Sequence, residues 1–187
     1  GILNNKAKTL NTLWQDEWGL SKHSPLRQVR EAVSPEVWQG YFSFAFVRNP
    51  FARAYSAFRF AKKMGVVAEK LKGMSFHDYL RSELFEKRVL GGSGSQVDFL
   101  HPISELSMLG RYESLENDLN LALQIIMRKR LPAISLQRLN QSSDSEEWRS
   151  MSEDDKDIIR NAYARDFDEL GYDLEDGRLI EIGRAHV

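Results

Sequence analysis

Over most of the chain, apolar residues recur at the three- and four-residue spacing of helices, and only two short stretches read as strands. Tyr41, Phe42, Phe44, Ala45, Phe46 and Val47 form a nearly continuous apolar run, which predicts a strand covered on both faces in a parallel sheet. Leu106–Leu109 predicts a second, shorter strand. Ser24-Pro25 reads as a helix start, with Ser24 as cap and Pro25 at the first position, followed by Leu26, Val29 and Val33 near one face. Ser34-Pro35 is expected to end that helix and lead into the first strand. A helix over 50–63 would carry Phe51, Tyr55, Phe58 and Ala61 or Lys62 at helical spacing. Ser75 is expected to cap another, with Phe76, Tyr79, Leu80 and Leu84 as its buried stripe. Leu115 to Arg130 reads as a long amphipathic helix, and Ser152 to Asp155 as a capping box opening a final helix toward Leu170. The glycine-rich stretch 91–95 and the polar stretch 141–150 read as loops. The glycines at 91, 92 and 94 are not followed by Lys-Ser or Lys-Thr, so they do not read as a phosphate cradle.

With 187 residues, 42% of them hydrophobic, the chain has enough apolar material for one sizeable core. Basic and acidic residues nearly balance, 26 against 27, so no general attraction to nucleic acid or anionic lipid is expected, and positive charge must act locally. The absence of cysteine excludes disulfides and thiolate metal sites. No apolar run approaches the roughly 20 residues that span a bilayer, so no stable membrane insertion is expected. A cytoplasmic setting of bacterial type is expected, or a Golgi lumen if the source is eukaryotic. The domain reading is a single incomplete domain over 1–178 with a non-native or disordered tail over 179–187, and His186 is set aside with that tail. The start at Gly1, without Met, reads as a fragment.

The junction after the first strand concentrates anion-binding devices. Arg48 stands at the strand end, Pro50 suits the first turn of the following helix, and Ser56 brings a hydroxyl two turns on. Free helix N–H groups and the helix dipole are expected to add to them. Arg53 and Arg59 are ordinary for the polar face of a helix, and Arg111 with Glu113 reads as an ion pair holding a strand end.

Four motifs then occur in order. Val47-Arg48-Asn49-Pro50-Phe51-Ala52-Arg53-Ala54-Tyr55-Ser56 resembles the segment with which the carbohydrate-type sulfotransferases (sulfotransferase family 2) bind the 3′-phosphate of 3′-phosphoadenosine 5′-phosphosulfate (PAPS). Gly110-Arg111-Tyr112-Glu113-Ser114-Leu115-Glu116-Asn117-Asp118-Leu119 is similar to a strand-to-helix element of that family. Leu139-Asn140-Gln141-Ser142 and the stretch Ala164 to Tyr172 also match. The likeness spans roughly residues 20 to 173. It implies an α/β, P-loop-like three-layer fold in which a small parallel sheet is flanked by many helices, here N-terminally truncated. It also implies PAPS as sulfuryl donor without a metal, Arg48, Ser56, Arg53, Asn140 and Ser142 as cofactor-binding residues, and His23 as catalytic base. The chain departs from the family in one respect. The Gly-rich Lys-(Thr/Ala)-Gly-(Thr)-Ser loop for the 5′-phosphosulfate is missing, and Lys6-Ala7-Lys8-Thr9 lacks its glycines. That loop is expected to be encoded upstream, leaving this fragment inactive alone.

Sulfuryl transfer demands that two anionic ends of a donor be fixed and that the acceptor lose a proton as it attacks. His23 is the first candidate for that base and His101 the second, while His77 reads as solvent-facing. The acceptor would be a hydroxyl, or an amine, of a glycan or of a small or lipid molecule. Two other readings stay open: a nucleotide or sugar kinase-like phosphotransferase, which would need acidic residues for Mg²⁺ at a second strand end, and a non-catalytic helical interaction module.

Overall fold

The computed structural model describes residues 12–13, 15–21, 23–63, 65–87, 94–130, 132–136 and 147–180. In chain order its main elements are α1 (Leu26–Ala32), α2 (Pro35–Gly40), β1 (Phe44–Val47), α3 (Pro50–Ala61), α4 (Gly65–Lys70), α5 (Phe76–Leu80) and α6 (Glu83–Glu86). They continue with α7 (Gln96–Leu100), β2 (Met108–Arg111), α8 (Leu115–Met127), α9 (Glu153–Ala162) and α10 (Ala164–Leu170). The fold is mixed α/β and mostly helical, with β1 and β2 paired as a two-stranded parallel sheet. The chain forms two compact units, 1–45 with 96–109 and 46–95 with 110–187.

In the first unit α7 packs on α1, with Leu26 and Val97 buried. The expected cap of α1 is displaced by one residue. Pro25 occupies the cap position without a side-chain bond, and the Ser24 hydroxyl turns back to accept from Ser21 N at 2.9 Å. The connection expected after Ser34 is itself helical. Ser34 Oγ accepts from Val37 N at 3.3 Å and Pro35 takes the first position of α2. A Ser-Pro pair stops one helix and starts the next, because proline tolerates only the first turn. Arg30 and Glu105 form an ion pair here. Ser43 and Ser107 exchange backbone-to-hydroxyl bonds at 3.2 Å where the strands begin.

The second unit is built around α3. Phe51, Ala54, Tyr55, Phe58 and Ala61 share its buried face, which meets α5 and α9. The Phe58 and Tyr79 rings stack with centroids 5.1 Å apart, and Phe51 lies 4.9 Å from Phe167 of α10. Ser75 caps α5, as expected, and Asp78 completes a full capping box with it. The helix then breaks: Ser82 Oγ donates to Tyr79 O at 2.7 Å, and α6 restarts at a new phase. The break puts Phe85 in the core, where the unbroken stripe had Leu84. The final helix is likewise two segments, α9 and α10, divided at the buried Tyr163. Past α10, Leu179 bridges Tyr172 and Ile180 N donates to Gly171 O at 2.9 Å, so hydrogen-bonded structure runs two residues beyond 178.

The strands differ from expectation in extent and in cover. β2 begins two residues later than the apolar run and ends at Arg111. In β1 the strand expected to be covered on both faces is buried at Val47, but Phe44 is 39% exposed and the preceding Tyr41 73%. Gly110 in β2 is required by close approach. A Cβ there would lie 2.5 Å from Cε1 of the Phe46 ring.

Candidate functional site

In the second unit β1 and β2 end side by side, and the chain leaves each strand through an arginine: Arg48 just after β1 and Arg111 as the last residue of β2. The C-terminal ends of parallel strands are where open α/β sheets bind ligands. Each guanidinium lies over a tyrosine ring, Arg48 above Tyr112 at 4.4 Å and Arg111 above Tyr172 at 5.2 Å. Such stacking holds the planar fork in a fixed orientation and attracts its charge to the ring face.

Asn49 organises the junction. Its side-chain oxygen accepts from Phe51 N at 2.8 Å and from Ala52 N at 3.3 Å, making it the cap of α3 with Pro50 behind it. Its amide nitrogen donates to Gly177 O at 2.8 Å, and its backbone N–H donates to Glu113 Oε1 at 2.7 Å. The other oxygen of Glu113 accepts from Tyr172 OH at 3.1 Å. Burial, then the Glu113 charge, pushes the Tyr172 hydroxyl well above its ordinary pKa. On β2, Arg111 N donates to Asp118 Oδ2 at 2.6 Å, and Ser114 Oγ reaches the same oxygen at 2.9 Å.

Two expectations are corrected by these bonds. The first turn of α3 has no spare amide for an anion: Pro50 has none, Phe51 and Ala52 are held by Asn49, and Arg53 N already donates to Asn49 O. Asn-Pro supplies its own cap, so helix N–H groups do not contribute to a phosphate site here. Glu113 likewise is not the partner of Arg111. Its oxygens go to Asn49 and Tyr172, and Arg111 Nη1 is buried without a hydrogen-bond partner. An orphaned guanidinium nitrogen beside two parallel strand ends is a feature the sequence reading had classed as structural.

Of the residues singled out from sequence, Arg48, Arg53 and Ser56 fall in the second unit, all half-buried, the last two on α3. Arg53 lies 5.8 Å over the Tyr163 ring. His23 belongs to the first unit, in an exposed turn before α1, where its backbone N donates to Ser21 Oγ at 3.2 Å. His101 is exposed. His77 is exposed on α5, yet its Nδ1 lies 2.9 Å from Asp155 Oδ1. Asn140 and Ser142 lie outside the described residues, as do 91–93 of the glycine-rich loop and 181–187 of the tail.

Residues 3–91 match the sequence model of the Sulfotransferase family, a stretch that contains β1, Arg48 and all of α3. The matched stretch is just under half of the chain, and it supports a partial relationship to sulfotransferase family 2 and, with it, a transferase. No curated protein and no solved structure matches it. Among the described residues no helix is long and apolar enough to cross a membrane.

Proposed function

We propose that this chain carries the 3′-phosphate side of a PAPS site in an enzyme that sulfates a hydroxyl, or an amine, of a glycan or of a small or lipid acceptor. The observation that supports this most is Arg48, which stands at a parallel strand end, braced on Tyr112, inside the stretch that matches the family. The donor set suits an anion through guanidinium forks, with the buried and unsatisfied Arg111 Nη1 consistent with an anionic ligand at the same strand ends. When bound, PAPS supplies a sulfuryl group on a phosphate leaving group. Arg48 would bind the 3′-phosphate with its fork, Ser56 would donate its hydroxyl, and Arg53 would add positive charge from the same helix. His23 would take the acceptor proton. Asn140 and Ser142 would complete the cofactor's contacts, and the 5′ end would need the Gly-rich loop that this sequence does not contain.

Calorimetric titration of the full-length protein with adenosine 3′,5′-bisphosphate tests this reading. Arg48→Ala should weaken binding tenfold or more and Ser56→Ala about fivefold, because a charge-assisted bond contributes roughly 1.5–3 kcal/mol and a neutral hydroxyl about 1. His23→Ala should leave that affinity intact and lower turnover by about 10²–10⁴-fold. Unchanged affinity in Arg48→Ala overturns the assignment.

A further inference from the structure

The second unit has an open cleft of about 600 Å³ at the far end of α3, away from the strand ends. At 1.5 Å per residue, the thirteen steps from Asn49 to Lys62 put the basic end of this cleft roughly 20 Å along the helix from the cap, while Tyr55 lines its near side. One wall is basic. Arg59, Lys62 and Lys63 line it from α3 and the turn after it, and no carboxylate pairs with either lysine among the described residues. Lys62 Nζ donates to Met74 O at 2.9 Å and sits 5.0 Å over the Phe58 ring, so its ammonium is held in place. Lys63 is exposed.

Asp155 is the acidic group in the lining, and its charge is already matched. Arg81 Nη1 lies 2.5 Å and His77 Nδ1 2.9 Å from Oδ1. Against a burial that would raise it, the bonds from Arg81 and Ser152 and the charges of His77 and Arg81 hold its carboxyl below the ordinary range. The cleft therefore carries a net positive charge with its acid neutralised locally. The remaining wall is aromatic: Phe76, half-buried, meets Tyr55 edge-on at 5.1 Å and Phe58 at 5.4 Å.

We propose that this cleft binds a ring-bearing oxyanion, a small molecule that carries a phosphate, sulfate or carboxylate on a cyclic body. The oxyanion faces Lys62, Lys63 and Arg59, and the ring packs against Phe76. The volume suits one small molecule, and an aromatic wall with a few placed charges is the usual makeup of such sites. Lys62, Lys63 and Phe76, which carry this proposal, are not among the residues assigned to the strand-end site, so its failure and that of the PAPS reading are distinguishable.

The test is a titration of the full chain with phenyl phosphate, inorganic phosphate and phenol, followed through amide shifts of residues 62–63 and 75–77. Phenyl phosphate should saturate these shifts and bind at least about tenfold more tightly than either part alone. Lys63→Glu, at an exposed position, should weaken it about tenfold, and Lys62→Arg should keep affinity within about threefold. Phe76→Leu should weaken phenyl phosphate and leave inorganic phosphate unchanged. Arg48→Ala should have no effect on these shifts. Absence of saturable shifts in the wild type, equal affinity in Lys63→Glu, or loss of binding in Arg48→Ala would each overturn the proposal.

Discussion

Replacing Asn49 by alanine removes three bonds at one buried position. The side chain is 4% exposed, caps two amides of α3 and donates to the Gly177 carbonyl. Loss of an N-cap costs about 1 kcal/mol, with a range of roughly 0.5–2. The Gly177 carbonyl, left without its donor, adds roughly 1–3 kcal/mol. The expected total is about 2–4 kcal/mol, which for a chain of this size lowers Tm by roughly 5–15 °C. Asn49→Ser separates the two parts: it keeps the capping oxygen, loses the amide donor, and should recover about the cap's share. Thermal unfolding followed by circular dichroism gives the total. Hydrogen exchange at Phe51 and Ala52 gives the local part, since both amides should lose protection in Asn49→Ala and retain it in Asn49→Ser. An alanine variant within about 0.5 kcal/mol of the wild type, with both amides still protected, would refute the role given to Asn49.

Gly110→Ala forces a Cβ to within 2.5 Å of the Phe46 ring and should destabilise by about 1–3 kcal/mol in denaturant titration, and Phe46→Leu should relieve part of that cost. Tyr172→Phe should cost about 1 kcal/mol at neutral pH through the lost bond to Glu113. The Tyr172 hydroxyl has its folded pKa raised above an ordinary value of 10.0, so its contribution is full below pH 10 and declines as pH rises toward the folded value. Wild-type stability should therefore fall above pH 10 more steeply than that of Tyr172→Phe, and parallel profiles would count against the buried hydroxyl.

What could be read from sequence was local. Arg48 at a strand end, Pro50 at the first position of α3 and Ser75 as the cap of α5 all depend on residues no more than three or four apart, and all three appear as expected. Phase errors began where a local break intervened. The bond from Ser82 to Tyr79 O reset the helical register and exchanged Leu84 for Phe85, a choice that apolar spacing cannot make because both residues are apolar. The site's internal wiring was illegible for a different reason. Glu113 reaches Asn49 across 64 positions and Tyr172 across 59, and neither pairing leaves a spacing signal. Arg111 and Glu113, two apart, suggested an ion pair by proximity alone, and the long-range partners prevailed. The capping by Asn49 was the missed signal within reach, since Asn before Pro is both a turn marker and a favoured cap with proline at the first helical position.

The bond between the Asn49 amide and the Gly177 carbonyl also sets an order of events in the cell. The two residues are 128 positions apart, and a ribosome adds about 5–20 residues each second. Roughly 6–26 s therefore pass between the synthesis of the cap and the arrival of the carbonyl that completes its bonding. Throughout that interval the nascent chain lacks one tether of α3, and the junction that carries Arg48 is completed only once the turn at Gly177 has emerged.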